Sequence, residues 1–397
     1  MSLLVWLKKE MEEFTHKVKV FMKIGYDAKR VFHNWRGLGN YSRDLVTGLS
    51  HYFPGHEYIL YSMDFKDERS VDFEQQNEQF IIRKPEGFIS KLFPSVWRSR
   101  LSRYFQMDEL DIFHGLSHEL PKKVKGSKTK CIVTIHDLIF IRYPEYFPAI
   151  DRKVYMAKVR YACKTAEVVV AICEQTKTDL IDLLDVDASK IRVAYQSCNK
   201  IYFDETSEEK RKKVLSEYGI TSDYFLYVGA FEERKNILNL IEAYFHYGTQ
   251  KKLVLVGRGN KYLKKINKRI IELGLEKDIL IIEGAPLEHL PVLYQGAFAF
   301  CFPSHFEGFG IPIIESLFSK TPVITTNGSC FPEVAGPGGL YCDPNKPFEI
   351  AKAMNQLTEN EDTYNQLVND GYEFVQKFRP EVTSSNLMKI YQDIVSK

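Results

Sequence analysis

The 397-residue sequence predicts an α/β protein of two doubly wound domains, each with a parallel sheet. Three observations predict this. The chain is roughly two to three times the length of a common domain. Runs that are apolar throughout, such as "KLVLVGRG" and "FAFCFPS", alternate with runs of helical spacing, as expected where parallel strands are covered by helices on both faces. The alternation falls into two zones, and the charged stretch 204–213 within "AYQSCNKIYFDETSEEKRKKVLSEYG" reads as the linker between them.

In the first zone "MKIGYDAK", beginning at Met22, is a strand, and "GNYSRDLVTGLSHYF" has helical spacing. "HEYILYSM", "DIFHGL" and "CIVTIHDL" are short β-rich runs. "MAKVRYACKTA" reads as a helix, and "VVVAICEQTKTDLIDLL" as a strand turning into one. The second zone has strands in "FLYVGAF", "KLVLVGRG", "ILIIEG", "FAFCFPS" and "PVITTN". Helical runs "NILNLIEAYFHY", "YLKKINKRIIELG", "LPVLYQGA" and "IPIIESLFSK" separate them. The predicted domains are 22–200 and 201–378, followed by a helix in 379–397. Residues 1–21 form an N-terminal extension, either an amphipathic surface helix or sequence ahead of the true start. Its apolar patch precedes its charges, the reverse of a signal peptide.

Composition narrows the function classes. A formal net charge of +2 argues against a dedicated nucleic-acid binder. Seven cysteines without a C-x-x-C pair predict reduced, mostly buried thiols of a cytoplasmic protein, with neither a disulfide frame nor a zinc site. No apolar run is long enough to span a bilayer.

Ligands of doubly wound domains bind beyond the carboxyl ends of the strands, so residues just after strands are the candidates. Gly37 and Gly39 lie between the first strand and its helix, where missing side chains let amides approach a phosphate. Ser42 breaks the full G-x-G-x-x-G fingerprint, which disfavours a nicotinamide cofactor. His136 ends a buried strand and can donate hydrogen bonds into a cleft; His114 sits similarly with a weaker case. Arg234 and Lys235 follow a strand and precede a helix with Asn236 at its N-cap, a good phosphate site. In "HFEGFGIPIIES", Glu307 lies on a glycine turn and Glu315 inside the next helix. Eight helical residues would separate them by roughly 12 Å along the axis, too far to share one reacting atom. They suit the two ends of an extended ligand, with the amides of Phe309, Gly310 and Ile311 meeting phosphates between them.

These motifs, in this order, resemble retaining glycosyltransferases of family 4. The family's E-x7-E motif is matched by Glu307 and Glu315, and "GLGNYSRDL", "VTIHDLIFIRYPEYFP" and "YVGAFEERKN" match its acceptor loop, histidine strand and phosphate site. The resemblance spans about 22–397 and is greatest to bacterial surface-polysaccharide enzymes, many of them mannosyltransferases. It implies the GT-B fold, two facing Rossmann-like domains with a cleft between them, and a terminal helix crossing back to the first domain.

The resemblance further implies a donor such as GDP-mannose or a UDP-sugar, no cofactor and no catalytic metal. Glu307 would bind donor-sugar hydroxyls and Glu315 the ribose, while Lys235 and Arg234 neutralise the diphosphate and His136 bonds the sugar. Gly37 and Gly39 would let the acceptor-domain loop close over the phosphates. Many family members have a basic residue where this chain has Ala230, a charge that Arg234 would replace. The D-x-D of Asp185 and Asp187 lies in a polar turn and is expected to help start the next element.

The implied acceptor is a glycan or a lipid-diphosphate-linked glycan at the inner face of the membrane. The basic segment "FISKLFPSVWRSRLSRYF" (88–105), with Lys91, Arg98, Arg100 and Arg103, would either rest on anionic lipid or cover its own domain. The alternatives are a phosphorylase or epimerase on the same fold and a non-catalytic nucleotide-sugar-binding protein.

Overall fold

The computed structural model describes residues 21–85, 94–124, 127–248, 250–259 and 261–396. The extension before Phe21 and the start of the basic segment, including Lys91, lie outside the described residues. Among those described, the strands form two sheets. The first contains β1 (Lys23–Asp27), β2 (Glu57–Tyr61), β3 (Phe80–Arg83), β4 (Ile112–Gly115), β5 (Lys130–Ile135), β6 (Val168–Ala171) and β7 (Ile191–Val193). Its order is β3-β2-β1-β4-β5-β6-β7. The second contains β8 (Tyr224–Val228), β9 (Lys252–Val256), β10 (Ile279–Ile282), β11 (Ala299–Phe302), β12 (Val323–Thr326) and β13 (Gly339–Cys342), in the order β10-β9-β8-β11-β12-β13. Pairings from β1 to β5 and throughout the second sheet are parallel.

The helices used below are α1 (Gly37–Tyr52), α2 (Ala149–Thr165), α3 (Glu174–Leu184), α4 (Ile237–Tyr247), α5 (Leu290–Gln295), α6 (Ile311–Phe318) and α7 (Pro380–Val395). The chain divides into two compact units. One holds the described residues up to Thr134, Tyr161–Val169 and those from Ser384 onward; the other holds Ile135–Arg160 and Val170–Thr383.

In the second unit the core forms because the strands are apolar on both faces. All four residues of β11 are buried, and the ring of Phe302 stacks against those of Phe300 and Tyr227 at 5.6 and 6.3 Å. Burying one such ring contributes roughly 1.5–3 kcal/mol. In the first unit His114 is fully buried. Its Nδ1 lies 2.6 Å from the Tyr391 hydroxyl of α7 and its Nε2 lies 2.8 Å from Thr134 Oγ1, which accounts for this histidine as a tie between strand and helix.

Two local expectations change and a third holds. The charged stretch 204–213 is not all linker: Glu208–Glu217 is a helix whose first turn is acidic and whose Ser207 hydroxyl accepts from Lys210 N. Asp204, Glu205 and Thr206 are fixed by side chains, Thr206 N donating to Gln295 Oε1 at 2.8 Å. In the basic segment, Trp97, Leu101 and Phe105 are buried, and Arg98 pairs with Asp27 at 2.5 Å and Glu119 at 3.3 Å. The described part therefore directs its large apolar groups inward. Asp187 accepts from Ser189 N at 2.8 Å and starts a helical turn, as expected of a residue in that polar turn. The seven cysteines are all free and buried. Among the described residues no helix is long and apolar enough to cross a membrane.

Candidate active site

Strand order explains why distant residues meet. In the second sheet the order reverses between β8 and β11, which pair directly through Phe225 with Ala299 and Leu226 with Phe300. Such a reversal leaves a crevice at the carboxyl ends of the two strands. Beyond β8 the chain runs into Arg234 and Lys235, and beyond β11 it runs into Glu307. The topology thus brings together side chains 72 positions apart in the sequence.

Glu307 is the centre of the resulting cluster. Lys235 Nζ lies 2.6 Å from its Oε1 and Arg234 Nη1 lies 2.7 Å from its Oε2, all three side chains being largely buried. Burial alone would raise the Glu307 carboxyl, but the charges and hydrogen bonds of Lys235 and Arg234 reverse this and hold it below the ordinary glutamate value. Arg234 is raised despite its burial, chiefly through Glu307. Arg234 also faces Glu232 Oε2 at 3.6 Å, so its guanidinium is shared between two carboxylates, whereas Lys235 pairs with Glu307.

The backbone around Glu307 is fixed from three sides. Arg234 Nη1 donates to the Phe306 carbonyl at 2.7 Å, tying the cation to the carboxylate's own loop. Ser329, in the left-handed region with φ 56°, accepts from Glu307 N at 3.2 Å and donates to Glu307 O at 2.9 Å. Cys330 Sγ donates to the Phe309 carbonyl at 2.8 Å. Asn236 stands at the N-cap position of α4, as expected, but its side chain does not cap. It adopts φ 61° and donates to the carbonyls of Pro303 and Pro344 at 3.0 and 2.7 Å, bracing the strand end.

Gly310 precedes α6 with φ 99°, a conformation that favours glycine. Phe309 buries its ring against Tyr195 and Phe378, which leaves only its backbone facing away from the core. The first N–H groups of a helix have no partner within the helix, and Pro312 next to Ile311 has none to satisfy. The amides of Phe309, Gly310 and Ile311 therefore form an anion-favouring helix start beside the cation pair.

Glu315 is half-buried in the second turn of α6. The buried Tyr294 hydroxyl of α5 donates to its Oε2 at 3.0 Å, and the buried Tyr202 phenol lies near enough to feel its charge. Burial and Glu315 push both phenols well above their usual range, so both keep their protons. Tyr294→Phe is expected to weaken nucleotide binding by roughly 3–10-fold, the value of one ordinary hydrogen bond, with little change in turnover at saturation. Titration calorimetry with nucleoside diphosphates checks this.

His136 directly follows β5 and is buried. Its carbonyl accepts from Thr176 Oγ1 of α3 at 3.2 Å. A Cβ on Gly308 would lie 2.7 Å from that carbonyl and 3.3 Å from Asp137 Cβ, so only glycine lets the Glu307 loop approach the strand end this closely. His136 is thereby seated beside the Glu307 loop in the same unit. Asp137, overlooked in the sequence, joins it; burial raises its carboxyl, opposed by His136 and Arg234.

Gly37 and Gly39 are not in a loop. A helical turn, Lys29–His33, follows β1, and both glycines lie in the first turn of α1. The Gly39 amide is used, donating to Arg36 O at 2.8 Å, and a Cβ there would lie 1.6 Å from the Asn34 carbonyl oxygen. A Cβ on Gly37 would meet nothing within 4 Å. Gly39→Ala is therefore expected to destabilise the fold by about 1–3 kcal/mol through overpacking. Gly37→Ala should leave stability unchanged or slightly higher. Thermal melts check both, and lost transfer in a normally stable Gly37→Ala protein would mark Gly37 as a site residue.

Two Rossmann-like parallel-sheet domains, one with a carboxylate–cation cluster at its strand-order reversal, place the chain in the GT-B fold class. Residues 35–198 match the family described as Glycosyltransferase Family 4, and residues 207–374 match Glycosyl transferases group 1. The chain belongs to these glycosyltransferases. It is 28% identical over 360 residues, 86% of this chain and 91% of the relative, to O-antigen chain mannosyltransferase B of Escherichia coli. It is also 28% identical over 237 residues, 60% of this chain and 63% of the relative, to O-antigen chain mannosyltransferase RfbU of Salmonella typhimurium. Among solved structures, a glycosyltransferase from Rickettsia africae superposes with a TM-score of 0.76 at 19% identity, covering 95% of this chain and 99% of that one. Anabaena Alr3699/HepE, solved with UDP and glucose, gives 0.73 at 19% identity, covering 94% and 100%.

Proposed function

We propose that this glycosyltransferase is a retaining, metal-independent hexosyltransferase. It moves mannose from a nucleotide-diphosphate sugar to a glycan or lipid-diphosphate-linked acceptor in surface-polysaccharide synthesis. The observation that carries the reading is Glu307 held between Lys235 and Arg234 where β8 and β11 end. The names of the mannosyltransferase relatives support the sugar and the pathway class.

Each group has one task. Lys235, Arg234 and the amides of Phe309, Gly310 and Ile311 stabilise the diphosphate as negative charge develops on it, the largest contribution such a site can make. Glu307 accepts hydrogen bonds from sugar hydroxyls, His136 bonds the sugar, and Glu315 accepts from the ribose hydroxyls. The bond from the anomeric carbon to the diphosphate oxygen breaks, and the acceptor hydroxyl oxygen bonds that carbon from the same face. Its proton passes to the departing phosphate oxygen. No enzyme nucleophile takes part, unlike the two-carboxylate scheme of retaining glycosidases, and the cation pair supplies the charge that a metal would otherwise provide.

A thermal-shift screen of GDP-mannose, UDP-sugars and their parent nucleotides tests the reading. Stabilisation by one nucleotide family, followed by release of its diphosphate on adding acceptor, is expected. No shift with any of them, or binding without turnover toward any glycan acceptor, would contradict it.

A further inference from the structure

Ser329 holds a backbone conformation that serine disfavours. Its φ of 56° lies in the left-handed region, where a Cβ crowds the following carbonyl. Gly328, directly before it, is outside that region and has open space where a Cβ would be. Glycine thus stands one position away from where the backbone would favour it. What serine supplies at 329 is a hydroxyl. That hydroxyl accepts from Glu307 N at 3.2 Å and donates to Glu307 O at 2.9 Å. It holds both main-chain groups of the residue whose carboxylate lies between Lys235 and Arg234. Backbone strain of this kind persists where the surrounding structure over-determines it, and it clusters at functional sites.

The neighbouring carbonyls are held by side chains too. Phe306 O accepts from Arg234 Nη1 at 2.7 Å, Gly308 O from Cys173 Sγ at 3.1 Å and Phe309 O from Cys330 Sγ at 2.8 Å. A trans peptide directs its N–H opposite to its C=O, so the two thiols turn the amides of Phe309 and Gly310 away from themselves. Thiols are weak donors, whereas the Ser329 hydroxyl holds a carbonyl and an amide of one residue. That double grip fixes the direction in which the Glu307 side chain leaves the chain. All these residues belong to one compact unit. The structure assigns Ser329 as the positioning residue of Glu307, its hydroxyl setting the aim of the carboxylate toward a donor-sugar hydroxyl. Its effect on turnover rests on the transfer reaction proposed above, whereas the grip itself is read without substrate.

Ser329→Gly and Ser329→Ala in the full chain test this. Both remove the hydroxyl, but only Ser329→Ala keeps a side chain in the left-handed region. Ser329→Ala should therefore melt at a lower temperature than Ser329→Gly. Turnover at saturating donor should nevertheless fall about 10–100-fold in both, the cost of a misplaced group. Nucleoside diphosphate affinity should change by less than about threefold, because Lys235 and Arg234 remain. Hydrogen–deuterium exchange at the Glu307 amide, measured without substrate, should become about tenfold faster in Ser329→Gly as that amide loses its acceptor. The proposal is overturned if Ser329→Gly turns over as wild type does while Ser329→Ala is slow, because turnover would then follow stability. Unchanged exchange at Glu307, or a loss of diphosphate affinity as large as the loss of turnover, would likewise overturn it. Faster exchange in a chain that shows no transfer even as wild type would support the grip and count against the assigned reaction.

Discussion

Glu307→Gln is expected to lower transfer turnover by about 10²–10³-fold while nucleoside diphosphate binding stays the same or tightens. The amide preserves shape but removes the charge that Lys235 and Arg234 now share at 2.6 and 2.7 Å. Lys235 is then left to the diphosphate, with Arg234 still facing Glu232 at 3.6 Å, so the ground state is expected to be held at least as well. On the proposed reading, the sugar loses the charged acceptor that Glu307 provides. An acid or base role would predict a different result, a turnover loss that depends steeply on pH. Stability should fall toward the lower end of the roughly 3–5 kcal/mol seen when a buried ion pair loses one partner.

Acid unfolding gives a second reading of the same variant. Because the Glu307 carboxyl is held below the ordinary 4.5, the stability it contributes is complete above that pH and disappears as pH falls through the depressed value. Asp137 acts oppositely: its folded carboxyl is raised from 3.8, so its favourable contribution exists at low pH and is lost as pH rises. Urea unfolding on both sides of pH 4.5 should show wild type losing stability on acidification, with a flatter profile in Glu307→Gln.

Lys235→Ala is the second large effect. Its Nζ lies 5.0 Å from the centre of the Phe302 ring and 2.6 Å from Glu307, an arrangement that aims a point charge without tying it to backbone. Its loss should cut turnover by about 10²–10³-fold and weaken diphosphate binding, with a modest fall in melting temperature because Arg234 still pairs with Glu307. Arg234→Ala should do both and lower the melting temperature further, because Arg234 also holds the Phe306 carbonyl. Turnover, diphosphate affinity and melting temperature measured on the two proteins separate these outcomes. Equal melting losses in both would mean that Lys235, like Arg234, braces the loop.

Much of this site was legible because its residues follow strands that are apolar throughout. β8, β11 and β5 announce themselves by composition, and Lys235, Glu307 and His136 come directly after them. The meeting of Lys235 with Glu307 depends on β8 lying beside β11, which no local pattern contains. Tyr202 and Tyr294 were invisible for another reason: in a chain with 23 tyrosines each looks like core, and both are buried. Only the position of Glu315 reveals their task. Gly37 and Gly39 were misplaced because glycine disfavours helices locally, whereas the Asn34 carbonyl against Gly39 requires it there.

The central claim is that Glu307 and Glu315 grip a nucleotide sugar whose own diphosphate performs the proton transfer, without a metal or an enzyme nucleophile. Proton NMR of the product formed by the purified chain from a nucleotide-sugar donor in excess EDTA tests it most directly. The account predicts undiminished transfer and a glycoside with the donor's anomeric configuration. A product of inverted configuration, or transfer that stops until a divalent cation is restored, would contradict it.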